Sequence, residues 1–208
     1  MLHKLHYISQ GDTPAAHVLN ISTALDSGIK LVQLRLKHIT DERYTEYALK
    51  AQELCKQYNA HLVVNDNALV SKLSNSSVLH LGLEDMSITD AKNIVPSTLI
   101  GGTANTFDHV QQRCADQVDY IGLGPYRFTT TKKKLSPVLG LEGYNTIMGQ
   151  MKKQELTTPV YAIGGIEFED IAPLMKTGVY GIAVSGLITH SKNKEQLIKE
   201  INKIIYHA

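Results

Sequence analysis

Short apolar runs that alternate with helical patterns constrain the fold of this chain more than any other feature. Eight runs have the composition of β-strands, and in the intervening stretches apolar residues recur every three to four positions. The units repeat at roughly 20–30 residues, which is typical of parallel βα units. The strands are predicted at Leu5–Ser9, Leu31–Leu36, His61–Val64, Val78–Leu81, Leu99–Gly101, Tyr120–Leu123, Val160–Ile163 and Gly181–Val184.

Eight helices are predicted between and after these strands. The first has an apolar face of Val18, Ile21, Ala24 and Leu25 and ends near Gly28, and the second begins at Thr40-Asp41. The others are expected at Ala68–Leu73, Ser87–Ile94, Thr106–Cys114, Leu141–Met151, Glu167–Met175 and Lys194–Ile205. The pattern predicts an α/β fold, a single (β/α)8 TIM barrel over residues 1–208, with a doubly wound open sheet as the alternative. Residues 126–143 lack clear periodicity and are predicted to form an active-site loop.

The charge and cysteine content narrow the class of protein. Lys and Arg total 21 against 20 acidic residues, and this balance argues against a nucleic-acid partner. The two cysteines have no metal-ligand spacing, so neither a disulfide scaffold nor a zinc site is expected. No apolar run approaches the length of a membrane span, and no signal peptide is visible. We therefore expect a cytoplasmic protein without a membrane partner.

The second predicted strand carries a polar face. Gln33, Arg35 and Lys37 alternate with aliphatic residues, so they share one side of the strand. An antiparallel strand with one solvated face would also show this pattern. In a barrel, however, the aliphatic face meets the helices and the polar face points inward, where two cations are costly without an anion. The barrel fold therefore favours an anion site here.

Acidic residues follow the third and fourth predicted strands. Asn65-Asp66 comes after one strand and Glu84-Asp85 after the next. Helix capping would explain either pair. Two aspartates at neighbouring strand ends can instead share Mg²⁺, which prefers a few carboxylates together with substrate phosphate oxygens. His80, within the fourth strand, is interpreted as a structural histidine.

Glycines and hydroxyl residues follow the remaining strands. Thr103 lies among glycines after the fifth strand, and a basic, threonine-rich segment at 127–134 follows the sixth. Gly165 and Ser185 follow strands seven and eight, whose loops build the recurrent phosphate site of barrels. Tight turns and a solvated basic loop are the alternatives. Gly164 and Gly165 after the seventh strand and Gly186 after the eighth favour phosphate binding.

Together these segments resemble the thiamine-phosphate synthase family, in the group that also contains the thiazole tautomerases. The resemblance runs in chain order from the second strand to the eighth and covers nearly the whole chain. The matching segments are Gln33-Leu34-Arg35-Leu36-Lys37, Asn65-Asp66, His80-Leu81-Gly82 with Glu84-Asp85, Gly124-Pro125 with Thr129, Thr131 and Lys132, Ala162-Ile163-Gly164-Gly165-Ile166, and Val184-Ser185.

The resemblance implies a (β/α)8-barrel transferase with two small-molecule substrates. It implies Mg²⁺-dependent joining of hydroxymethylpyrimidine diphosphate to hydroxyethylthiazole phosphate, with dissociative loss of pyrophosphate. The implied diphosphate contacts are Arg35, Lys37, Asn65, Thr103 and Lys132, of which Arg35, Lys37 and Lys132 are the predicted catalytic residues. Asp66 and Asp85 would bind Mg²⁺, Gln33 would contact the aminopyrimidine, and Thr129, Thr131, Gly165 and Ser185 would hold the thiazole phosphate.

The chain departs from the family pattern at three places. Thr103 replaces the usual serine and keeps the hydroxyl, whereas Leu83 replaces a glutamine and loses a polar contact. Arg127-Phe128 stands where Phe-Pro is common, which would alter loop closure. None of these changes removes a predicted phosphate or metal ligand.

Two other functions compete with the synthase. A thiazole tautomerase on the same barrel needs a histidine near Asn105, and an asparagine cannot act as that base. A non-catalytic thiazole-phosphate-binding protein would need Gly165 and Ser185 but not Asp66 and Asp85. Association into a homo-oligomer stays open, because no helix face stands out as a partner surface.

Overall fold

Eight parallel strands close into a barrel in the computed structural model, which describes residues 2–128 and 137–207. The strands are neighbours in chain order, and the pairing of Leu5 with Ile182 closes the sheet between the first strand and the last. Closure excludes the doubly wound open sheet. The strands are β1 (Leu5–Ile8), β2 (Leu31–Leu34), β3 (His61–Asn65), β4 (Val78–Leu81), β5 (Leu99–Ala104), β6 (Tyr120–Leu123), β7 (Val160–Ile163) and β8 (Gly181–Val184).

Helices follow every strand and form the outer layer. They are α1 (Pro14–Asp26), α2 (Asp41–Gln57), α3 (Ala68–Ser74), α4 (Ile88–Ile94), α5 (Phe107–Ala115), α6 (Gly140–Lys153), α7 (Phe168–Lys176), α8 (Gly186–Thr189) and α9 (Lys194–His207). The sequence pattern missed α8, because four residues are too few to show a period. Among the described residues, no helix is both long and apolar enough to cross a membrane.

Several predicted boundaries were wrong, and three of them bear on the site. Strand β5 continues to Ala104 instead of ending at Gly101, so Thr103 lies within the strand and not after it. Strand β2 ends at Leu34 rather than Leu36, so Arg35 and Lys37 lie in the loop at the mouth of the barrel. Helix α6 begins at Gly140, inside the predicted loop 126–143. Alternation of apolar residues continues past the last ladder hydrogen bond of a strand, and for this reason the pattern overestimates β2.

The core has two layers, one on each side of the sheet. The larger layer lies between strands and helices, and the smaller one fills the barrel with Leu31, Val63, Val78, Tyr120 and Tyr161, among others. His6 lies in this inner layer, with its ring edge-on to those of Tyr120 and Tyr161. Burial lowers the pKa of His6 to about 3. The barrel interior is thus packed with rings, and the carboxyl ends of its strands remain for a site.

Candidate active site

A hydrogen-bonded amide pair lies at the carboxyl ends of β2 and β3. Gln33 Nε2 donates to Asn65 Oδ1 at 3.0 Å, and both residues are buried. Their backbone is held by Tyr44 of α2, whose hydroxyl lies 2.7 Å from the carbonyl of Leu34 and accepts from the Asn65 N–H at 3.1 Å. Sequence reasoning did not anticipate these contacts of Tyr44, because its hydroxyl reaches strand ends that are distant in the chain. Tyr44 fixes the strand ends that carry the two amides.

The two predicted metal ligands come together. The carboxyl group of Asp85 lies near that of Asp66 and acts on its pKa, and Lys37 Nζ lies 3.5 Å from Asp66 Oδ2. Burial, and next the neighbouring Asp85, raise the pKa of Asp66 to about 6, against the opposing charges of Lys37 and Arg35. Because ionisation of Asp66 is unfavourable beside a second carboxyl group, a cation between the two would stabilise the ionised form of Asp66.

Neither aspartate caps a helix. Asn67 caps α3, with its Oδ1 accepting from the Val70 N–H at 2.9 Å, and Ser87 caps α4 by accepting from the Asp90 N–H. Asp85 Oδ2 instead accepts from the Gly82 N–H at 2.6 Å, which turns its carboxylate back toward the end of β4. The capping explanation for Asp66 and Asp85 is therefore wrong.

The donor set fits a hard cation with few protein ligands. Within the described part of the chain, no group of three or more His, Cys, Asp or Glu side chains converges on one point. A pair of carboxylates without soft ligands suits Mg²⁺, which completes its shell with water and substrate oxygens.

Arg35 and Thr103 extend this polar surface on either side of the acidic pair. Arg35 is half-buried, and its backbone N–H lies 3.3 Å from Ser9 Oγ at the end of β1. Thr103 faces the inside of the barrel, where its hydroxyl lies 3.0 Å from His80 Nε2. His80 therefore touches a predicted site residue, a contact that sequence reasoning did not anticipate.

Gly165 and Ser185 lie after the neighbouring strands β7 and β8. Gly165 has a φ of 67° and its carbonyl accepts from Arg127 Nη1 at 2.5 Å. Ser185 Oγ donates to Gln10 Oε1 at 3.0 Å, and Gln10 Nε2 lies 2.7 Å from His190 Nε2. No motif had indicated Gln10 or His190, since each is an ordinary polar residue at the end of an element.

The remaining predicted site residues, Thr129, Thr131 and Lys132, lie outside the described residues. The chain on both sides of them is held at the same barrel mouth. The backbone N–H of Arg127 donates to the Gly164 carbonyl at 2.9 Å, and the backbone N–H of Leu139 donates to the Pro125 carbonyl at 3.0 Å. The guanidinium of Arg127 also pairs with Asp170 at 2.9 Å, so this departure from the family pattern ties the segment to α7.

Fold and site together define a (β/α)8-barrel protein with cations, a carboxylate pair and hydroxyls at the carboxyl ends of its strands. The family described as thiamine monophosphate synthase matches residues 6–188. The chain belongs to this family.

Similar proteins agree along almost the whole length. The chain is 50% identical to a thiamine-phosphate synthase of Flavobacterium psychrophilum, over 98% of this chain and 99% of that protein. It is 49% identical to the thiamine-phosphate synthase of Flavobacterium johnsoniae, over 99% and 98% of the two chains. Among solved structures, thiamine phosphate pyrophosphorylase from Pyrococcus furiosus is 28% identical and superimposes with a TM-score of 0.84, covering 98% of this chain and 96% of that one.

Proposed function

We propose that this chain is a thiamine-phosphate synthase that joins hydroxymethylpyrimidine diphosphate to hydroxyethylthiazole phosphate and releases pyrophosphate. The chain is a transferase of the family named above. The observation that carries the detailed proposal is the meeting of Asp66, Asp85 and Lys37 at the barrel mouth. A carboxylate pair beside a cation suits a diphosphate that arrives with Mg²⁺.

Charge stabilisation is the chemistry that these residues would supply. When the bond between the pyrimidine methylene carbon and the diphosphate oxygen breaks, its electron pair leaves with the diphosphate. The thiazole nitrogen then attacks the methylene carbon. Arg35 and Lys37, with Lys132, would stabilise the charge that accumulates on the departing group, because preorganised cations act most strongly in the transition state. Mg²⁺ held by Asp66 and Asp85 would neutralise further charge on the diphosphate.

The amide pair would orient the pyrimidine. Because Gln33 Nε2 donates to Asn65, Gln33 Oε1 is left as an acceptor for the exocyclic amine of an aminopyrimidine. Asn65 Nδ2 then remains available to donate to a diphosphate oxygen. No nucleophile or general base is needed, since the attacking thiazole nitrogen carries its own lone pair.

The second substrate would bind at the ends of β7 and β8. Gly165 and Ser185 are proposed to hold the thiazole phosphate together with Thr129 and Thr131. The positive φ of Gly165 favours glycine, and glycine places no side chain between the backbone and an incoming phosphate. Ser185 would exchange its bond to Gln10 for one to a phosphate oxygen.

The competing functions fit the geometry less well. Asn105, near which a tautomerase would need its histidine, is buried and donates its side-chain amide to the Gly124 carbonyl. The neighbouring His109 already accepts the backbone N–H of Asn105 at its Nδ1, at 3.3 Å, so that nitrogen is occupied and is not free to act as the base. A non-catalytic binding protein has no use for Asp66 and Asp85, whose proximity is unfavourable without a cation. A cytoplasmic location and association into a homo-oligomer stay predictions.

The test is pyrophosphate release by the purified protein with both substrates and Mg²⁺. We expect release that depends on all three components, with controls that omit the thiazole phosphate or add a chelator. Absence of release above background, with thiazole-phosphate binding confirmed by calorimetry, would overturn the proposal in favour of a binding protein.

A further inference from the structure

A pair of stacked rings occupies the barrel beneath the proposed diphosphate site. The rings of His80, on β4, and Tyr120, on β6, have centroids 5.5 Å apart and an interplanar angle of 28°. Two glycines on neighbouring strands admit them. A Cβ on Gly101 would lie 2.0 Å from Tyr120 Cζ, and one on Gly122 would lie 3.1 Å from His80 Cε1. The interior is therefore built around this ring pair.

One hydrogen bond joins Tyr120 to His80, and a second joins His80 to Thr103. The Tyr120 hydroxyl lies 3.0 Å from His80 Nδ1, and His80 Nε2 lies 3.0 Å from Thr103 Oγ1. Tyr120 is 1% exposed, whereas Thr103 is only partly buried at the end of β5. The chain of contacts thus runs from the dry interior to the barrel mouth.

The burial of Tyr120 determines which groups donate and which accept in these two hydrogen bonds. Among the described residues, the hydrogen-bond partner of the Tyr120 phenol is His80 Nδ1. If the phenol accepted there, its own hydrogen would be buried without an acceptor, which is costly. The phenol therefore donates to Nδ1, and the imidazole carries its hydrogen on Nε2 and donates it to Thr103 Oγ1. Thr103 keeps its own hydroxyl hydrogen for another acceptor.

We propose that Tyr120 and His80 are positioning residues that orient the Thr103 hydroxyl as a donor toward the departing diphosphate. The inference rests on the proposed function, which assigns Thr103 to that group. The orientation of the Thr103 hydroxyl decides whether its contact with the diphosphate is attractive or repulsive. If the hydroxyl donated to His80, it would present its lone pairs to the anionic diphosphate. Because it accepts from His80, it can donate its hydrogen to the diphosphate.

The test is a double-mutant cycle of T103V and Y120F, with kcat and KM measured by pyrophosphate release. We expect T103V to lower kcat by about 10- to 100-fold, as befits loss of a hydrogen bond to a charged group. Y120F should lower kcat by about 3- to 10-fold, since the Thr103 hydroxyl remains in this variant but loses its orientation. In the T103V background, Y120F should cause no further loss, and T103S should retain most of the activity. The KM for the thiazole phosphate should stay unchanged in every variant.

Y161F is the matched control. Tyr161 is equally buried inside the barrel, but its hydroxyl donates to the His3 carbonyl at 2.6 Å, at the opposite end of the strands. Y161F should therefore lose a buried hydroxyl contact with kcat unchanged. An equal fall of kcat in Y161F and Y120F would show general loosening of the core and would overturn the proposal.

Other outcomes separate this proposal from the function on which it rests. Multiplicative losses in the T103V/Y120F variant would show that Tyr120 does not act through Thr103. Wild-type kcat in T103V would remove both the proposal and the assignment of Thr103 while leaving the synthase activity intact. Absence of pyrophosphate release from the wild-type protein would instead overturn the function.

A measurement on the unmodified chain covers the case in which Y120F does not fold. The ¹⁵N chemical shifts of the His80 imidazole, assigned by loss of its signals in His80→Gln, report which ring nitrogen carries hydrogen. We expect the Nε2–H tautomer, and an Nδ1–H tautomer would overturn the proposal.

Discussion

Replacing Asp66 by asparagine is expected to stabilise the protein in the absence of Mg²⁺ while removing its turnover. The Asp66 side chain is 31% exposed and lies near the carboxyl group of Asp85. Burial and the second carboxylate raise its pKa to about 6 from 3.8. Asparagine keeps the side-chain shape, tolerates the φ of 67° at this position and carries no charge.

The magnitude follows from the pKa. A rise of about two units corresponds to about 3 kcal/mol that ionisation of Asp66 costs the folded state, and solvent screening reduces this to about 1–2 kcal/mol. Because the folded pKa is raised, the stabilising effect of the bound proton is fully present below pH 3.8 and is lost as the pH rises through about 6. D66N should therefore exceed the wild type in unfolding free energy at pH 7.5, with a smaller difference at pH 5.

Urea unfolding at both pH values, with and without millimolar Mg²⁺, measures this effect. Mg²⁺ should stabilise the wild type by mass action and leave D66N unchanged, and only the wild type should release pyrophosphate. Glu155→Gln removes one negative charge from an exposed turn at the other end of the barrel and serves as the control. A D66N variant that is less stable than the wild type at pH 7.5 without Mg²⁺, or is equally stabilised by Mg²⁺, would refute this account of the site.

Three further changes test the barrel itself. Burial lowers the pKa of His6 to about 3, so His6 stays neutral in the folded state between pH 6.5 and 4.5, whereas it becomes protonated in the unfolded chain below pH 6.5. The wild type should then lose about 1–3 kcal/mol more unfolding free energy than His6→Leu between pH 6.5 and 4.5. An equal loss in the two proteins, measured by urea unfolding at both pH values, would contradict this. Gly101→Ala forces a methyl group into the Tyr120 ring and should lower stability by about 2–4 kcal/mol, seen as a fall in Tm; an unchanged Tm would show that the ring can move. Tyr44→Phe removes the hydroxyl beside the carbonyl of Leu34 and should cost about 1–2 kcal/mol and raise the KM for the pyrimidine substrate, whereas wild-type KM would show that the amide pair does not need this support.

Local periodicity accounts for the part of the fold that could be predicted. Each strand and each long helix buries one face, and that burial is written into the spacing of apolar residues, so the order of elements and the polar ends of β2 to β5 follow from the chain alone. Closure did not follow, since an open sheet has the same local pattern. The pairing of β1 with β8 decides it, through contacts between residues that are more than 170 positions apart.

The candidate site could likewise be predicted only in part from the sequence. The residue types of Gln33, Arg35, Asp66 and Asp85 at strand ends were enough to indicate an anion and a cation site. That Asp66 and Asp85 meet rather than cap helices depends on Asn67 and Ser87 having taken the caps.

The contact of His80 with Thr103 was out of reach of sequence reasoning, which interpreted His80 as a structural residue. It depends on neighbouring strands and on interior glycines that leave room for a ring. The sequence by itself thus determined which chemical groups stand at the end of each strand, because that is a local property. Only the tertiary structure decided which of them touch, because the distances between strand ends are set by closure of the barrel.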